Sequence, residues 1–390
     1  MKSDAGFNRI EWVRDSCRLL SSILREFKES RPFNGLTIGT GIHLEPKTVA
    51  LLLALREGGA AVVSTGNLNT TQDEAVEYLR LHGVDVVGRN TSDENVHRHH
   101  LLEVLERRPQ LILDNGGDLF VSSLAAPFEG LLGGTEETTS GRMRLTDLRD
   151  QISVPIYVIN DSPIKQFAEN KHAVGQSALE SFLRITNLAT NGRRVLVFGY
   201  GSVGKGIATH FRNAFASVAV IDRSPVLRLE AWFDGFEVPA REDALRSADL
   251  VITATGAVDV VTESDLELLK DGAILANAGH FPREIATDRL LRDSRVQSAR
   301  EGNGVTTLAL QDGRSIHLIA RGHMFNLAGP HPLGNSIQSM DLGFALQARC
   351  LEAIATGQAG KDDVVVPVPA RIDSLVAQAF LELYVGAGTA

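Results

Sequence analysis

Near the middle of the chain, Arg194-Val195-Leu196-Val197-Phe198 runs straight into Gly199-Tyr200-Gly201-Ser202-Val203-Gly204-Lys205-Gly206, and no other stretch constrains the fold as tightly. A strand-forming run, a glycine turn and a helix start, in that order, need a parallel sheet behind them. The glycines permit a tight turn and the close approach of a phosphate, which the following helix N-terminus faces with unpaired N–H groups. Gly199, Gly201, Ser202, Val203 and Gly204 are therefore expected to hold a pyrophosphate. The next strand ends at Asp222, about 20 residues on, where a carboxylate takes both hydroxyls of an adenosine ribose. Its charge would repel a 2'-phosphate despite the neighbouring Arg223, so the expected cofactor is NAD rather than NADP.

Short apolar runs alternating with helical periodicity extend to both sides of this loop, the pattern of βα units over parallel sheets. Strands are expected at 36–39, 60–64, 85–88, 111–113 and 156–159, with helices at 48–57, 71–81 and 95–107. A second series places strands at 195–198, 218–221, 250–253, 273–277 and 315–319, and helices at 176–186, 339–355 and 372–383. The expected class is α/β, with two doubly wound parallel-sheet domains. Residues 176–333 form a Rossmann NAD-binding domain, and 1–175 with 334–390 a substrate-binding domain. A hydrophobic fraction of 43% and a charged fraction of 22% over 390 residues suit a folded globular chain and exclude disorder as its main state. A net charge of -9 argues against a general nucleic-acid binder. The charged start and the lack of a long apolar run give no sign of a leader or a membrane span. Cys17 and Cys350 have no metal-ligand spacing, so the expected setting is a reducing, cytoplasmic one.

The first domain carries polar loops at 41–48, 67–73, 114–118, 136–141 and 160–165, each at or near the end of an apolar run. In open α/β sheets the ligand crevice lies at the strand carboxyl ends, so these loops are expected to converge on one polar site. Together with Gly175-Gln176-Ser177, Asn277-Ala278-Gly279-His280-Phe281, Asn326-Leu327 and His331-Pro332, they form an ordered set covering nearly the whole sequence. That set resembles the adenosylhomocysteinases (S-adenosylhomocysteine hydrolases). The box His43-Leu44-Glu45-Pro46-Lys47-Thr48 is similar to the archaeal and thermophile-type branch.

The resemblance implies a homo-oligomer, dimer or tetramer, that retains NAD and reversibly splits a nucleosidyl-homocysteine thioether into nucleoside and homocysteine. A 5' thioether beside a saturated ribose has no acidic proton next to it. Oxidising the 3'-hydroxyl acidifies the 4' carbon, the thiol leaves by elimination, water adds, and the hydride returns. By resemblance, Lys165 with Glu169 removes the 3'-hydroxyl proton, a task for which a lysine needs a depressed pKa, and Glu137 and Asn170 orient the ribose. His43 and His280 surround the 5' position, and His331 closes over the base, which Glu45, Lys47 and Thr48 read. Thr138, Thr139, Asn170, Thr255, Gly256, Asn277, Gly279 and Asn326 match the family's cofactor contacts.

Four departures stand out. Asn115 occupies the place of an aspartate credited with acid/base work, and an amide cannot exchange a proton. Glu169 replaces a shorter aspartate, and Val174 a frequent cysteine. Beyond Lys361 no lysine matches the family's C-terminal Lys and Tyr, which reach a neighbour's NAD. Where the commoner branch has Thr and Gln, this chain has Glu45 and Lys47. A lysine only donates and suits a keto oxygen, which favours hypoxanthine and hence S-inosylhomocysteine. The alternative is that Lys47 simply pairs with Glu45 or faces solvent. His97, His99 and His100 read as a solvated helix start rather than a metal site, and Asp362, Asp363, Glu103 and Glu106 as surface charge. Two rival functions remain: an NAD-dependent oxidoreductase or lyase acting on another nucleoside or sugar, and an NAD-binding regulatory pseudoenzyme.

Overall fold

The computed structural model describes residues 2–280, 282–360 and 362–386, so Phe281 and Lys361 lie outside the described residues. The chain divides into two compact units, Met1–Gln166 with Ile337–Ala390, and Phe167–Ser336. In chain order the first unit contributes β1 Thr37–Ile42, β2 Ala61–Gly66, β3 Asp85–Val86, β4 Leu111–Asp114, β5 Gly133–Glu136 and β6 Ile156–Val158. The second contributes β7 Arg194–Phe198, β8 Ser217–Ile221, β9 Leu250–Thr253, β10 Ile274–Asn277, β11 Val296–Gly302, β12 Val305–Leu310 and β13 Ser315–Ile319, and β14 Val366–Pro367 returns to the first. The polypeptide passes between the units inside an unbroken helical run, the wide π-type helix Lys165–Ala173 followed by Val174–Thr186. At this first crossing helical periodicity runs through, so the sequence pattern has no break to read there.

In the first unit the strand order is β14-β6-β5-β4-β1-β2-β3, and every neighbouring pair is parallel. The chain winds outward from β1 to β3, then returns to β4 and winds the other way. The reversal falls between β1 and β4, the place where a doubly wound sheet opens a ligand crevice. Helix Pro46–Glu57 is apolar all round, with Leu51, Leu52 and Leu55 fully buried, and such a helix must be covered on its outer side too. Helices Lys2–Ser16, Arg18–Ser30 and Ile337–Ala355 supply the cover. The first two of these have no counterpart among the expected elements. Asp341 ties the layer together: its carboxylate accepts the Leu19 and Leu20 N–H groups at 2.8 and 2.9 Å, capping helix Arg18–Ser30 from far along the chain.

The second unit orders its strands β11-β12-β13-β10-β9-β7-β8. The run from β8 to β13 is parallel, whereas β12 and β11 extend it as an antiparallel ribbon absent from the expected strands. Asn303 and Gly304 turn that ribbon, both with positive φ (51° and 75°), as a two-residue hairpin turn requires. Helices Val174–Thr186 and Ser202–Asn213 cross at backbone contact. A Cβ on Gly206 would strike the Lys171 carbonyl, and one on Gly175 the Gly206 carbonyl.

Candidate active site

In the first unit the polar residues gather at the carboxyl ends of the central strands. His43 follows β1, Asn67 follows β2, Asn115 follows β4, Glu137 follows β5, and Lys165 opens the helix after β6. One hydrogen-bonded chain links them. Thr48 Oγ1 donates to the His43 carbonyl at 2.6 Å, and His43 Nδ1 lies 2.6 Å from Thr70 Oγ1. Thr70 Oγ1 reaches the Asn67 carbonyl at 3.2 Å. Asn67 Nδ2 donates to Asn115 Oδ1 at 3.1 Å, and Asn115 Nδ2 to Glu137 Oε2 at 2.8 Å. Lys165 Nζ closes the chain on Glu137 Oε1 at 2.9 Å. Because an ionised carboxylate only accepts, Glu137 fixes which end of the Asn115 amide faces it. Burial would push the Glu137 carboxyl up, but the Lys165 ammonium, its hydrogen bond and the Asn115 amide together hold it below its ordinary value. Asn67 and Thr70, to which the sequence assigns no role, complete the connection.

Glu45 and Lys47 form an ion pair of 2.8 Å at the start of helix Pro46–Glu57, both about 5% exposed. Lys47 therefore pairs with Glu45, and neither group faces solvent. Thr138 caps helix Thr139–Asp147 by accepting the Gly141 N–H at 2.9 Å, while Thr139 is exposed. Glu169 is buried and Asn170 half-buried within Phe167–Ser336, on the π-type helix that Lys165 begins.

The second unit tests the NAD expectation through its glycines. Gly199 has φ +95°, and a Cβ there would strike the Ala254 carbonyl. A Cβ on Gly204 would strike the Gly199 carbonyl, so this glycine sets the packing of helix Ser202–Asn213 against β7. Gly201 alone of the three is exposed with no atom within 4 Å of its would-be Cβ, the space a pyrophosphate needs. Val203 lies half-buried in the first helical turn. Asp222 Oδ2 accepts the Tyr200 N–H at 2.7 Å, and its Oδ1 the Ser224 N–H at 2.8 Å, which fixes the carboxylate beside the loop.

Across the reversal between β7 and β9, Thr255 and Gly256 are exposed. Their N–H groups are gathered by Glu284 at 2.9 and 2.8 Å, a residue that no sequence signal singled out. Asn277 ends β10 and accepts the Gly279 N–H at 2.8 Å. Asn326 donates to Ser177 Oγ at 3.0 Å, while its Oδ1 is a buried acceptor that the described residues leave unsatisfied. The residues present thus fit a bound dinucleotide. His280 is half-buried, and His331 is exposed with φ +50°.

The three histidines of the 97–100 stretch do not form a solvated helix start. Helical spacing turns His97 and His100 inward, each 8% exposed, and only His99 outward. Asp363 likewise is not free surface charge, since it accepts the Tyr157 hydroxyl at 2.8 Å. Among the described residues no group of three or more His, Cys, Asp or Glu side chains could hold a metal ion, and no helix is long and apolar enough to cross a membrane.

Comparison with known proteins adds a second line. Residues 1–127 match the family model described as S-adenosyl-L-homocysteine hydrolase, and residues 170–331 the model of the S-adenosyl-L-homocysteine hydrolase NAD binding domain. An adenosylhomocysteinase of Thermotoga maritima is 40% identical over 385 residues, spanning 97% of this chain and 95% of that protein. Proteins named S-inosyl-L-homocysteine hydrolase are similar to a comparable degree. That of Methanopyrus kandleri is 38% identical over 384 residues (97% of this chain, 90% of that protein). That of Methanothermobacter thermautotrophicus is 37% identical over 383 (97% and 91%).

Proposed function

Because the chain belongs to the S-adenosyl-L-homocysteine hydrolase family, we propose that it splits a purine nucleosidyl-homocysteine into nucleoside and homocysteine, with S-inosylhomocysteine preferred over S-adenosylhomocysteine. The observation that carries the reading is the unbroken chain of hydrogen bonds from His43 through Thr70, Asn67, Asn115 and Glu137 to Lys165 at the strand ends of the first unit. NAD, when bound to the glycine loop, supplies the hydride acceptor for the 3'-hydroxyl, and all remaining work belongs to side chains. Glu137 and Asn115 bind and orient the ribose hydroxyls. Lys165, with Glu169 from the same helix, takes the 3'-hydroxyl proton, the role for a positioned base. His43, whose Nδ1 is engaged by Thr70, moves a proton at the 5' position through Nε2.

The Glu45–Lys47 couple supports a purine reader with one acceptor beside one donor. Hypoxanthine presents O6 to a donor and N1–H to an acceptor, a complementary edge for an ammonium beside a carboxylate. Adenine offers the reverse order, N6–H and N1, and fits only after a shift in register. The test is direct: the purified protein is given both thioethers while free thiol and the absorbance of the reduced cofactor are followed. Thiol should appear with both, faster with the inosyl substrate, and Lys47→Gln should narrow or reverse the order, by about 30-fold for one well-placed hydrogen bond. Absence of thiol from either substrate would overturn the reading. Cytoplasmic residence and homo-oligomeric assembly are part of the same proposal and rest on likeness to the family alone. Size measurement in solution tests the assembly.

A further inference from the structure

The second glutamate of the site's Glu136-Glu137 pair is the one that faces Lys165, but the first is the more completely enclosed. Glu136 is fully buried at the end of β5, in register with Asp114 at the end of β4. Its Oε1 accepts the Gly116 N–H at 3.0 Å, the Thr138 N–H at 2.7 Å and the Thr138 hydroxyl at 2.7 Å, and its Oε2 the Gly117 N–H at 2.9 Å. Gly116 and Gly117 both have positive φ (98° and 76°). The two successive N–H groups converge on one acceptor, as in backbone concavities that bind anions, and here the acceptor is the chain's own carboxyl group. Gly141 closes the far side, where any Cβ would collide with the Glu136 carboxyl group.

The two segments that Glu136 grips are those carrying reactive groups. Asn115 immediately precedes Gly116, Glu137 lies between Glu136 and Thr138, and the Asn115 amide meets the Glu137 carboxylate at 2.8 Å. We propose that Glu136 is a positioning residue for the reaction: by filling the Gly116–Gly117 concavity and holding Thr138 with the same carboxylate, it sets Asn115 and Glu137 in the register from which they orient the ribose. This rests on the function proposed above. Four donors converge on the two Glu136 oxygens, which an amide side chain with a single acceptor oxygen would satisfy only in part.

Glu136→Gln tests the inference, because it keeps the volume but turns an amide donor toward N–H groups on one side or the other. The expected result is a folded, NAD-retaining protein in which hydrogen exchange at Gly116, Gly117 and Thr138 quickens by about 10-fold or more. The kcat for thiol release should drop about 10- to 100-fold, as for a small misplacement of reacting groups, while KM changes far less. Gly117→Ala, strained at positive φ, should reproduce that split from the other side of the concavity, and it serves if Glu136→Gln fails to fold. Unchanged exchange at the three amides, or faster exchange with unchanged kcat, would overturn the positioning role. If the parent protein released no thiol, the functional reading would fall by itself, and the exchange measurement would still decide whether Glu136 holds the two segments.

Discussion

Asn115 uses both halves of its amide, accepting from Asn67 and donating to Glu137. An aspartate in its place would set two carboxylates at the present 2.8 Å separation, and one of them would have to hold a proton. The amide therefore keeps Glu137 ionised against Lys165, whereas a carboxylate would add a proton-exchanging group at the expense of that pair. Asn115→Asp is expected to raise the acid limb of the kcat/KM profile by about one to two pH units, a shift read from rates at fixed ionic strength. An unchanged profile would mean that residue 115 does not govern the state of Glu137. Lys165→Ala removes the cation that pairs with the buried Glu137 carboxylate at 2.9 Å. Substrate-induced reduction of the cofactor should slow by about 100-fold or more, and the unfolding free energy should drop by about 3–5 kcal/mol, because a buried charge loses its partner. Stopped-flow absorbance and denaturant titration check the two effects separately.

At the scale of elements, the glycine loop and the polar strand ends are legible in the sequence because each follows from local geometry: a strand, a turn and a helix within a few residues. Its glycines differ in role, and substitution should separate them. Gly201→Val should leave folding intact but yield protein purified without NAD, since the side chain would enter open space needed by the ligand. Gly204→Ala should cost about 3 kcal/mol or more in stability, because its Cβ meets the Gly199 carbonyl. Thermal unfolding of the ligand-free proteins and cofactor content by absorbance distinguish the outcomes. Other elements escaped for identifiable reasons. β5, Gly133-Gly134-Thr135-Glu136, has the composition of a turn, yet Gly134 is needed where a Cβ would strike the Ile112 carbonyl. β11 is polar and largely exposed, so it lacks the apolar alternation that marks a strand, although Asn303-Gly304 beside it is a hairpin signal. Glu136 and Asn67 lie in polar loops that the sequence marks, but their roles are not legible there: their partners are distant in sequence, and strand register brings them together.

Over the whole molecule, the buried Asp114 and Glu136 give stability a pH dependence. Burial raises both carboxyls well above the ordinary range, with the Asp118 charge adding at Asp114 and the Asp114 charge adding at Glu136, while hydrogen bonds from backbone N–H groups and Thr138 oppose the rise. Arg144, on helix Thr139–Asp147, pairs with Asp118 at 2.6 Å. Raised values mean that the folded state binds protons the unfolded state has released. The contribution is fully present below the usual carboxylate range and is lost as pH rises through the raised values, at up to about 1.4 kcal/mol per pH unit for each proton. The unfolding midpoint should therefore drop more steeply between about pH 5 and 8 in the parent than in Glu136→Gln. The chain's division into units has a further consequence, for synthesis. Phe167–Ser336 is one continuous segment, whereas the first unit needs Ile337–Ala355 and β14 to cover helix Pro46–Glu57 and to pair the edge of β6. On the ribosome the unit begun second is thus the first that can be completed. The apolar helix near the start must wait for the last part of the chain to emerge, leaving the early product exposed to chaperones and proteases for most of translation.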